Sequence, residues 1–179
     1  MAGPPRLSKL TLSLLRHAKA AREAPADGDI GRPLTGRGRR NADAVGKWMT
    51  AAKLSPDHIL CSTAARARGT LELVLPHLAG KPKVTYADAL YLAGPLLLLK
   101  HLHEAPKRSM HVLMIGHNPG LHALALDLVG TGPQDRIAAL GRKLPTSGLA
   151  VIRFDLAAWS DVVAGTGTLM AFTTPAEED

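Results

Sequence analysis

The sequence predicts an α/β protein, a three-layer α/β/α sandwich whose central sheet is mainly parallel and carries an antiparallel strand at one edge. Short apolar runs typical of buried strands alternate along the chain with segments in which apolar residues recur every three or four positions. This alternation is typical of parallel strands covered by helices on both faces. Near the carboxyl end two strand-like runs follow one another with no helical pattern between them, which indicates a hairpin and hence the antiparallel strand.

Six apolar runs predict the strands. Four of them, in the first two thirds of the chain, are expected to run parallel to one another and span residues 10–15, 58–61, 83–86 and 112–115. The two runs near the carboxyl end, residues 149–154 and 168–172, are expected to form the closing hairpin. Gly165 and Gly167 lie in the connection between them, where glycine favours a turn.

Three segments predict amphipathic helices. In the first two, apolar residues recur at the three- and four-residue spacing that gives a helix one apolar stripe. The first stripe consists of Ala42, Val45, Met49 and Ala52, and the second of Ala67, Leu71, Val74, Leu75 and Leu78. The third helix covers residues 121–129. Thr35 is expected to cap the first helix and Thr63 or Ser62 the second, because a hydroxyl oxygen accepts hydrogen bonds from amides of the first turn.

The composition is that of a globular protein. The chain has 179 residues, of which 46% are hydrophobic and 21% charged, and no linker or repeat divides it, so we expect one domain over residues 1–179 with flexible ends at 1–8 and 176–179. The single cysteine, Cys61, allows neither an internal disulfide nor a cysteine-based zinc site. No apolar run is long enough for a membrane span or a signal sequence. These features favour a cytoplasmic location and no membrane partner.

The positive charge is concentrated in the first third of the chain. The net charge is +7, and residues 1–53 hold eleven basic and four acidic side chains, whereas residues 54–179 hold eleven of each. A nucleic-acid surface can produce such a block. None of the six aromatic residues is interleaved with the basic run, so base stacking is disfavoured and no nucleic-acid partner is expected. An anionic small group or an acidic partner explains the asymmetry equally well.

Three short motifs place basic and imidazole side chains where predicted strands end. Arg16 and His17 follow the first strand, Arg66 lies in the first turn after the second, and His117 follows the fourth. The carboxyl ends of parallel strands meet at one edge of the sheet, which is where ligands of α/β proteins bind. Each motif alone also has a structural explanation. Together, two arginines and two histidines suit the binding and attack of a phosphoryl group.

With these motifs the sequence resembles the histidine phosphatase superfamily, the phosphoglycerate-mutase-like enzymes. The resemblance lies in the segments Arg16-His17-Ala18 and Gly116-His117-Asn118-Pro119, and in Arg66. Two further segments, Asp29-Ile30-Gly31-Arg32-Pro33-Leu34-Thr35 and Pro145-Thr146-Ser147-Gly148, narrow it to the SixA-type phosphohistidine phosphatases. The order and spacing of the motifs fit from about residue 10 to residue 172.

The resemblance implies a role for each of these side chains. His17 matches the nucleophile that becomes a transient phosphohistidine, and Arg16 and Arg66 match the arginines that bind the phosphoryl oxygens. His117 matches a further donor to those oxygens. This chemistry needs no metal and no cofactor. The resemblance also implies roles for a second group of residues. Asp29 and Arg32 either extend the anion pocket or orient Arg16. Ser147 either donates its backbone N–H to the substrate or is a structural turn residue.

The expected activity is a phosphatase that acts through a phosphohistidine intermediate on His17, with a protein-borne phosphohistidine as substrate. Phosphomonoesterases of the superfamily typically carry a glutamate after the third strand to protonate the leaving group, and here that stretch offers only Asp88. An imidazole departs more readily than an alkoxide, which favours P–N over P–O substrates. Two alternatives stay open: a small phosphate ester as substrate with Asp88 as the acid, and a non-catalytic anion-binding domain. The oligomeric state is not predicted.

The sequence does not match the motifs of other phosphate-binding sites or of zinc sites. A tyrosine-phosphatase loop needs five residues between its cysteine and arginine, but four separate Cys61 from Arg66. The chain has no P-loop motif. The spacings between its histidines do not suit a zinc site, and no thiolate partner is available.

Overall fold

The sheet lies at the centre of the molecule. In the structure, a computed structural model that describes residues 8–175, the sheet has seven strands. They are β1 (Ser8–Arg16), β2 (His58–Ser62), β3 (Lys83–Ala87), β4 (His111–Gly116), β5 (Val129–Thr131), β6 (Leu149–Leu156) and β7 (Gly167–Thr173). Their order across the sheet is β3-β2-β4-β1-β6-β7-β5. The predicted flexible ends lie outside the described residues, apart from Ser8.

Five α-helices accompany the strands within residues 8–175. They are α1 (Gly36–Ala51), α2 (Ala65–Val74), α3 (Pro95–His103), α4 (Gly120–Leu128) and α5 (Gln134–Arg142). Four short 3-10 helices lie in the connections, at Asp29–Gly31, Leu75–His77, Asp88–Leu90 and Trp159–Asp161. None of the helices in this part of the chain is long and apolar enough to cross a membrane.

The predicted fold class is confirmed, with one difference in where the antiparallel strand lies. Strand β6 pairs antiparallel with both β1 and β7, whereas β2, β3 and β4 are joined to β1 by parallel pairs. The short strand β5 then pairs parallel with β7 and forms the edge. The antiparallel strand therefore lies inside the sheet, because β7 and β5 extend the sheet beyond it.

Two apolar cores cover the two faces of the sheet, and alternate residues of each central strand enter them. In β4, Met114 packs in one core with Leu121 and Leu124 of α4, while Ile115 packs in the other with Met49 of α1. Such two-sided burial explains why the central strands appear in the sequence as continuous apolar runs.

The helix predictions were correct for three helices and missed two. Thr35 caps α1, and its hydroxyl oxygen accepts a hydrogen bond from the Gly38 amide at 3.0 Å. The expected cap of α2 was wrong, because the cap position is Ala64 and no side chain caps the helix. Ser62 accepts from the amide of Ala64 itself, at 3.3 Å, and the Thr63 hydroxyl has no partner among the described residues. Helices α3 and α5 and strand β5 were not predicted.

The strand registers bring the predicted motifs to one edge of the sheet. Arg16, the last residue of β1, pairs with Gly116, the last residue of β4. Ser62 at the end of β2 pairs with Ala87 at the end of β3. Strand β6 runs in the opposite direction, so its first residue, Leu149, lies at this same edge beside β1. The segment that precedes Leu149 is thereby also placed at the carboxyl ends of the parallel strands.

Candidate active site

His17 lies directly after β1 and is held in one orientation by the backbone. Its amide donates to the Gly116 carbonyl at 3.1 Å, and its ring nitrogen Nδ1 lies 2.8 Å from the Ala18 carbonyl. A carbonyl oxygen only accepts hydrogen bonds, so Nδ1 carries the proton. In the neutral ring, Nε2 therefore keeps its lone pair.

The surroundings of His17 keep its imidazole neutral. Only 8% of the residue is exposed, and this burial is the main reason why its pKa falls from 6.5 to about 3. The hydrogen bond to Ala18 opposes the shift, whereas nearby His117, Arg66 and Arg16 reinforce it. At neutral pH the Nε2 lone pair is thus available for attack on an electrophile.

Arg66, in the first turn of α2, brings its guanidinium to His17. It is 2% exposed, and its Nε lies 3.3 Å from His17 Nε2. Thr70, one turn further along α2, connects the same two segments: its hydroxyl donates to the Arg66 carbonyl at 2.7 Å and accepts from the Ala18 amide at 2.9 Å. Helix α2 therefore fixes both the guanidinium and the chain just after His17.

Asp29 holds the far side of the Arg66 guanidinium. Nη2 of Arg66 lies 3.0 Å from Asp29 Oδ2, and Nη1 donates to the Asp29 carbonyl at 2.7 Å. Arg32 and Tyr91 also donate to this carboxylate. The hydrogen bond from Tyr91, followed by those from Arg66 and Arg32, lowers the Asp29 pKa to about 2, so the carboxylate is ionised. Asp29 and Arg32 thus form a network with Arg66 and not, as one expectation had it, with Arg16.

Arg16 approaches the site from the end of β1. Its Nη1 donates to the Leu144 carbonyl at 3.1 Å, while its Nε is buried without a partner among the described residues. Burial, and secondarily the charge of Arg66, lowers the Arg16 pKa from its usual value. A guanidinium is still charged at any physiological pH, so its unpartnered N–H is a donor available to an anion.

His117 faces His17 across the site. Their ring centroids are 5.1 Å apart, and the Tyr91 ring meets His117 edge-on at 5.4 Å. Nε2 of His117 lies 2.7 Å from the Ser62 hydroxyl, and its Nδ1 is buried without a partner among residues 8–175. Burial lowers the His117 pKa to about 4, and Arg66 adds to the shift. The ring is neutral at pH 7 and has one unused nitrogen.

Ser147 contributes a turn that closes the site at the start of β6. Its φ is 59°, a left-handed conformation, and its amide contacts the carbonyls of Arg16 and His17 at 3.1 and 3.2 Å. Its hydroxyl is buried with no partner among the described residues. Of the two roles expected for Ser147, the structure shows the turn. Its amide already donates to the chain and is not free to donate to a substrate.

Comparisons with known proteins show which family this chain belongs to. The family model for the histidine phosphatase superfamily (branch 1) matches residues 12–90. A protein from Nakamurella multipartitia, assigned as the phosphohistidine phosphatase SixA, is 30% identical and has a TM-score of 0.82, with 94% of this chain and 98% of that chain covered. This chain belongs to the histidine phosphatase superfamily.

Other relatives place this histidine phosphatase in the SixA-type branch. A protein from Agrobacterium tumefaciens with the same assignment is 32% identical with a TM-score of 0.78, covering 93% of this chain and 98% of that one. The protein histidine phosphatase SixA complexed with tungstate is 25% identical with a TM-score of 0.72, covering 93% and 97%. An uncharacterized protein of Mycobacterium tuberculosis is 37% identical over 164 residues, 90% of this chain and 99% of its own.

Asp88 forms no hydrogen bond or ion pair with the four central side chains among the described residues. It is exposed at the end of β3 and lines a surface depression of about 480 Å³ together with Asp27 and Arg68. Neither His17 nor His117 lines that depression. Among the residues described, no group of three or more histidine, cysteine, aspartate or glutamate side chains is arranged to hold a metal ion.

Three residues of this histidine phosphatase site escaped the sequence analysis: Tyr91, Thr70 and Ser62, which had been considered only as a helix cap. Ser62 contacts His117, and Thr70 connects Arg66 to Ala18. Tyr91 contacts Asp29 and His117, and the Arg66 guanidinium lies over the face of its ring. Ser62 and Tyr91 share one signal with the residues that were found, since each lies at or shortly after the carboxyl end of a parallel strand.

Proposed function

We propose that this histidine phosphatase hydrolyses phosphohistidine in a protein, with His17 as its nucleophile. The observation that carries the proposal is the orientation of the His17 ring. Its Nδ1–H donates to Ala18, and Nε2, with its lone pair, faces the Arg66 guanidinium at 3.3 Å. A phosphoryl group bound to that guanidinium would lie next to the attacking nitrogen, as nucleophilic catalysis requires.

The reaction divides into two transfers. In the first, Nε2 of His17 forms a bond to phosphorus while the P–N bond of the substrate breaks, and the bonding pair stays with the substrate imidazole. That imidazole leaves as a neutral ring when its other nitrogen already carries a proton. In the second, the oxygen of a water molecule forms a bond to phosphorus while the P–Nε2 bond breaks, and both protons of the water leave with the product as dihydrogen phosphate. The bonding pair of the broken P–N bond returns to Nε2 of His17, and Nδ1 keeps its proton, which it donates to the Ala18 carbonyl throughout.

The ring of donors around His17 suits the charge of a phosphoryl group. Arg16 Nε and His117 Nδ1 are both buried and lack partners in residues 8–175, and Arg66 donates its Nε–H to His17 Nε2. Such preorganised donors stabilise the oxygens as the group is transferred. The related SixA protein complexed with tungstate supports this role, because tungstate is a tetrahedral oxyanion with the charge and shape of phosphate.

The state of the carboxylates favours phosphohistidine over phosphate esters. An alkoxide leaving group needs a proton donor. Asp29 is ionised with a pKa of about 2, and Asp88 is exposed on a separate depression. An imidazole leaving group needs no such acid, so the transfer between two imidazoles matches the groups that are present.

The test compares substrates with different leaving groups. The values of kcat/KM are measured for a phosphohistidine-bearing protein and for a panel of sugar and aryl phosphates, by phosphate release. We expect the phosphohistidine substrate to be favoured by about 100-fold, the size of a typical general-acid contribution. Asp88→Asn should leave the preferred reaction unaffected. A faster reaction on phosphate esters that Asp88→Asn abolishes would overturn the proposal, and so would an absence of turnover in the wild type.

A further inference from the structure

A second feature of the molecule lies beside the four central side chains: a cavity of about 730 Å³ with a strongly basic wall. We call it the basic cavity. Its cationic lining residues are Arg16, Lys19, Arg37, Arg142 and Lys143. Among the described residues that line it, none is an aspartate or a glutamate.

The basic cavity is joined to the proposed phosphoryl site through Arg16. This side chain lines the cavity, and the residue after it is His17. Arg16 Nη1 and Asn118 Nδ2 both donate to the Leu144 carbonyl, at 3.1 and 2.8 Å. Leu144 and Asn118 also line the cavity. Arg16 is therefore the side chain that the proposed phosphoryl site and the basic cavity share.

The basic cavity is not simply the phosphoryl site measured again. His17, Arg66 and His117 do not line it. Its volume falls in the range of pockets that hold ligands of drug size, far above the space of one phosphate. Its cations come from separate elements, because Arg37 lies in the first turn of α1 and Arg142 in the last turn of α5.

The lining identifies the chemistry of a ligand. Cations that face one cavity repel each other, so an anion that enters relieves this repulsion and gains charge-assisted hydrogen bonds. Partly exposed apolar side chains, Pro145 and Phe172, line the cavity together with the charged groups. An acidic side chain, which carries its carboxylate on an apolar stem, matches such a mixed wall better than an isolated inorganic anion does.

We propose that the basic cavity binds carboxylate side chains that flank the phosphohistidine in the protein substrate. This inference rests on the proposed function and specifies the class of its substrate. Acidic residues near the phosphohistidine would bind to Arg37 and Arg142, and the substrate would be selected by sequence charge as well as by its phosphoryl group.

The test uses two phosphohistidine peptides of the same length, one with glutamates on both sides of the phosphohistidine and one with glutamines instead. We expect kcat/KM to be about tenfold higher for the glutamate peptide, mainly through KM, since a few partly exposed ion pairs each contribute modestly. In the double variant Arg37→Gln/Arg142→Gln the ratio should fall to about one. The matched control is Lys100→Gln/Arg108→Gln, which removes the same charge outside the cavity lining and should keep the ratio.

Three outcomes would overturn the inference. They are equal kcat/KM for the two peptides in the wild type, a ratio that survives in the Arg37/Arg142 variant, and a ratio that falls equally in the control variant, which would indicate only net charge. If pyrophosphate inhibits competitively and depends on Arg37 and Arg142 while the peptides are not distinguished, the cavity serves a small anion instead.

Separate experiments test the proposed function and the role of the basic cavity. Free phosphohistidine has no flanking glutamate or aspartate side chain, so its hydrolysis by the wild type tests the chemistry without the proposed side-chain contacts. Binding of the unphosphorylated glutamate peptide, measured by calorimetry against the glutamine peptide, tests the cavity without any turnover. A glutamate preference in binding that Arg37→Gln/Arg142→Gln removes would support the inference even if phosphohistidine were not hydrolysed. Equal binding of the two peptides would contradict it.

Discussion

Nε of Arg66 lies 3.3 Å from Nε2 of His17, so the nitrogen proposed to attack phosphorus already faces the guanidinium proposed to hold the phosphoryl oxygens. Both side chains are held in this position by other residues. Ala18 fixes the His17 ring through Nδ1, and Asp29 holds the other end of the guanidinium. The arrangement is thus built before any substrate binds, which is how a site lowers the cost of reorganisation during the reaction.

Removing the Asp29 carboxylate should weaken catalysis through Arg66. In Asp29→Asn, the buried guanidinium loses its charged partner but keeps the Asp29 carbonyl, so we expect kcat/KM to fall by about tenfold. Tyr91→Phe removes only a donor to the same carboxylate, and a loss of about threefold is expected. Steady-state kinetics on one phosphohistidine substrate gives both values. A larger loss in Tyr91→Phe than in Asp29→Asn would show that Tyr91 does more than support the carboxylate.

Ser62 is expected to set the proton position on His117. Its hydroxyl accepts from the Ala64 amide and lies 2.7 Å from His117 Nε2. If it donates there, Nδ1 carries the proton and can donate to a phosphoryl oxygen. Ser62→Ala should then weaken competitive inhibition by tungstate by about tenfold, the effect of losing one hydrogen bond to a charged group. Ser62→Thr keeps the hydroxyl and should restore the inhibition. Equal inhibition in Ser62→Ala and wild type would contradict this role.

The stability of the fold should decrease as the solution becomes acidic. His17, His111 and His117 have pKa values of about 3, 4 and 4 in the folded state, each lowered mainly by burial from 6.5. Below about pH 6.5 the unfolded chain binds protons that the folded protein does not, so the free energy of unfolding falls as the pH falls towards 4. Each such group contributes up to about 1.4 kcal/mol per pH unit.

Urea unfolding at about pH 7.5 and pH 5 measures this dependence. His111→Asn should reduce the slope of stability against pH, because it removes one of the three groups, whereas His101→Asn, at a partly exposed position of α3, serves as a control. His111 lies away from the proposed site and contacts Ser13, so the effect can be followed without regard to activity. A pH-independent stability over this interval would contradict neutral, buried histidines.

Helix α1 packs so closely on the chain after His17 that a methyl group cannot fit. A Cβ atom on Gly38 would lie 2.1 Å from the Lys19 carbonyl oxygen, which is backbone and cannot turn away. Gly38→Ala should therefore cost about 1–3 kcal/mol of unfolding free energy. The matched control is Gly36→Ala in the same helical turn, whose Cβ would meet only the Arg40 side chain at 3.8 Å. Thermal unfolding of both variants measures this difference. Equal melting temperatures would show that the backbone at Lys19 can move aside at no cost, and would contradict the prediction.

Local patterns in the sequence predicted the parts of the fold in which burial is periodic. The central strands, helix α1 and the carboxyl-terminal hairpin are of this kind. Helix α3 was missed because Leu96 to Leu99 form an unbroken run in which Leu98 is buried and Leu96 is 82% exposed. Helix α5 was missed because, of its nine residues, only Leu140 is buried.

In the candidate site, too, some residues could be predicted from local sequence patterns and others could not. Arg16, His17, Arg66 and His117 could be placed together because each follows or lies near the end of a parallel strand. The contact of Tyr91 with Asp29 joins two loops 62 residues apart, and the partner of Asp29 is Arg66. No local pattern specifies which loop side chains meet, since that depends on how far each connection reaches over the edge of the sheet.

The most direct test of the proposed mechanism is to trap the phosphorylated enzyme. Rapid denaturation during turnover of a labelled phosphoryl donor should leave a label that is labile in acid and stable in base, and peptide mapping should place it on His17. His17→Ala should carry no label and lose about 10⁴-fold in activity. A label stable in acid, or one located on Ser62 or Cys61, would contradict the assignment of His17 as the nucleophile.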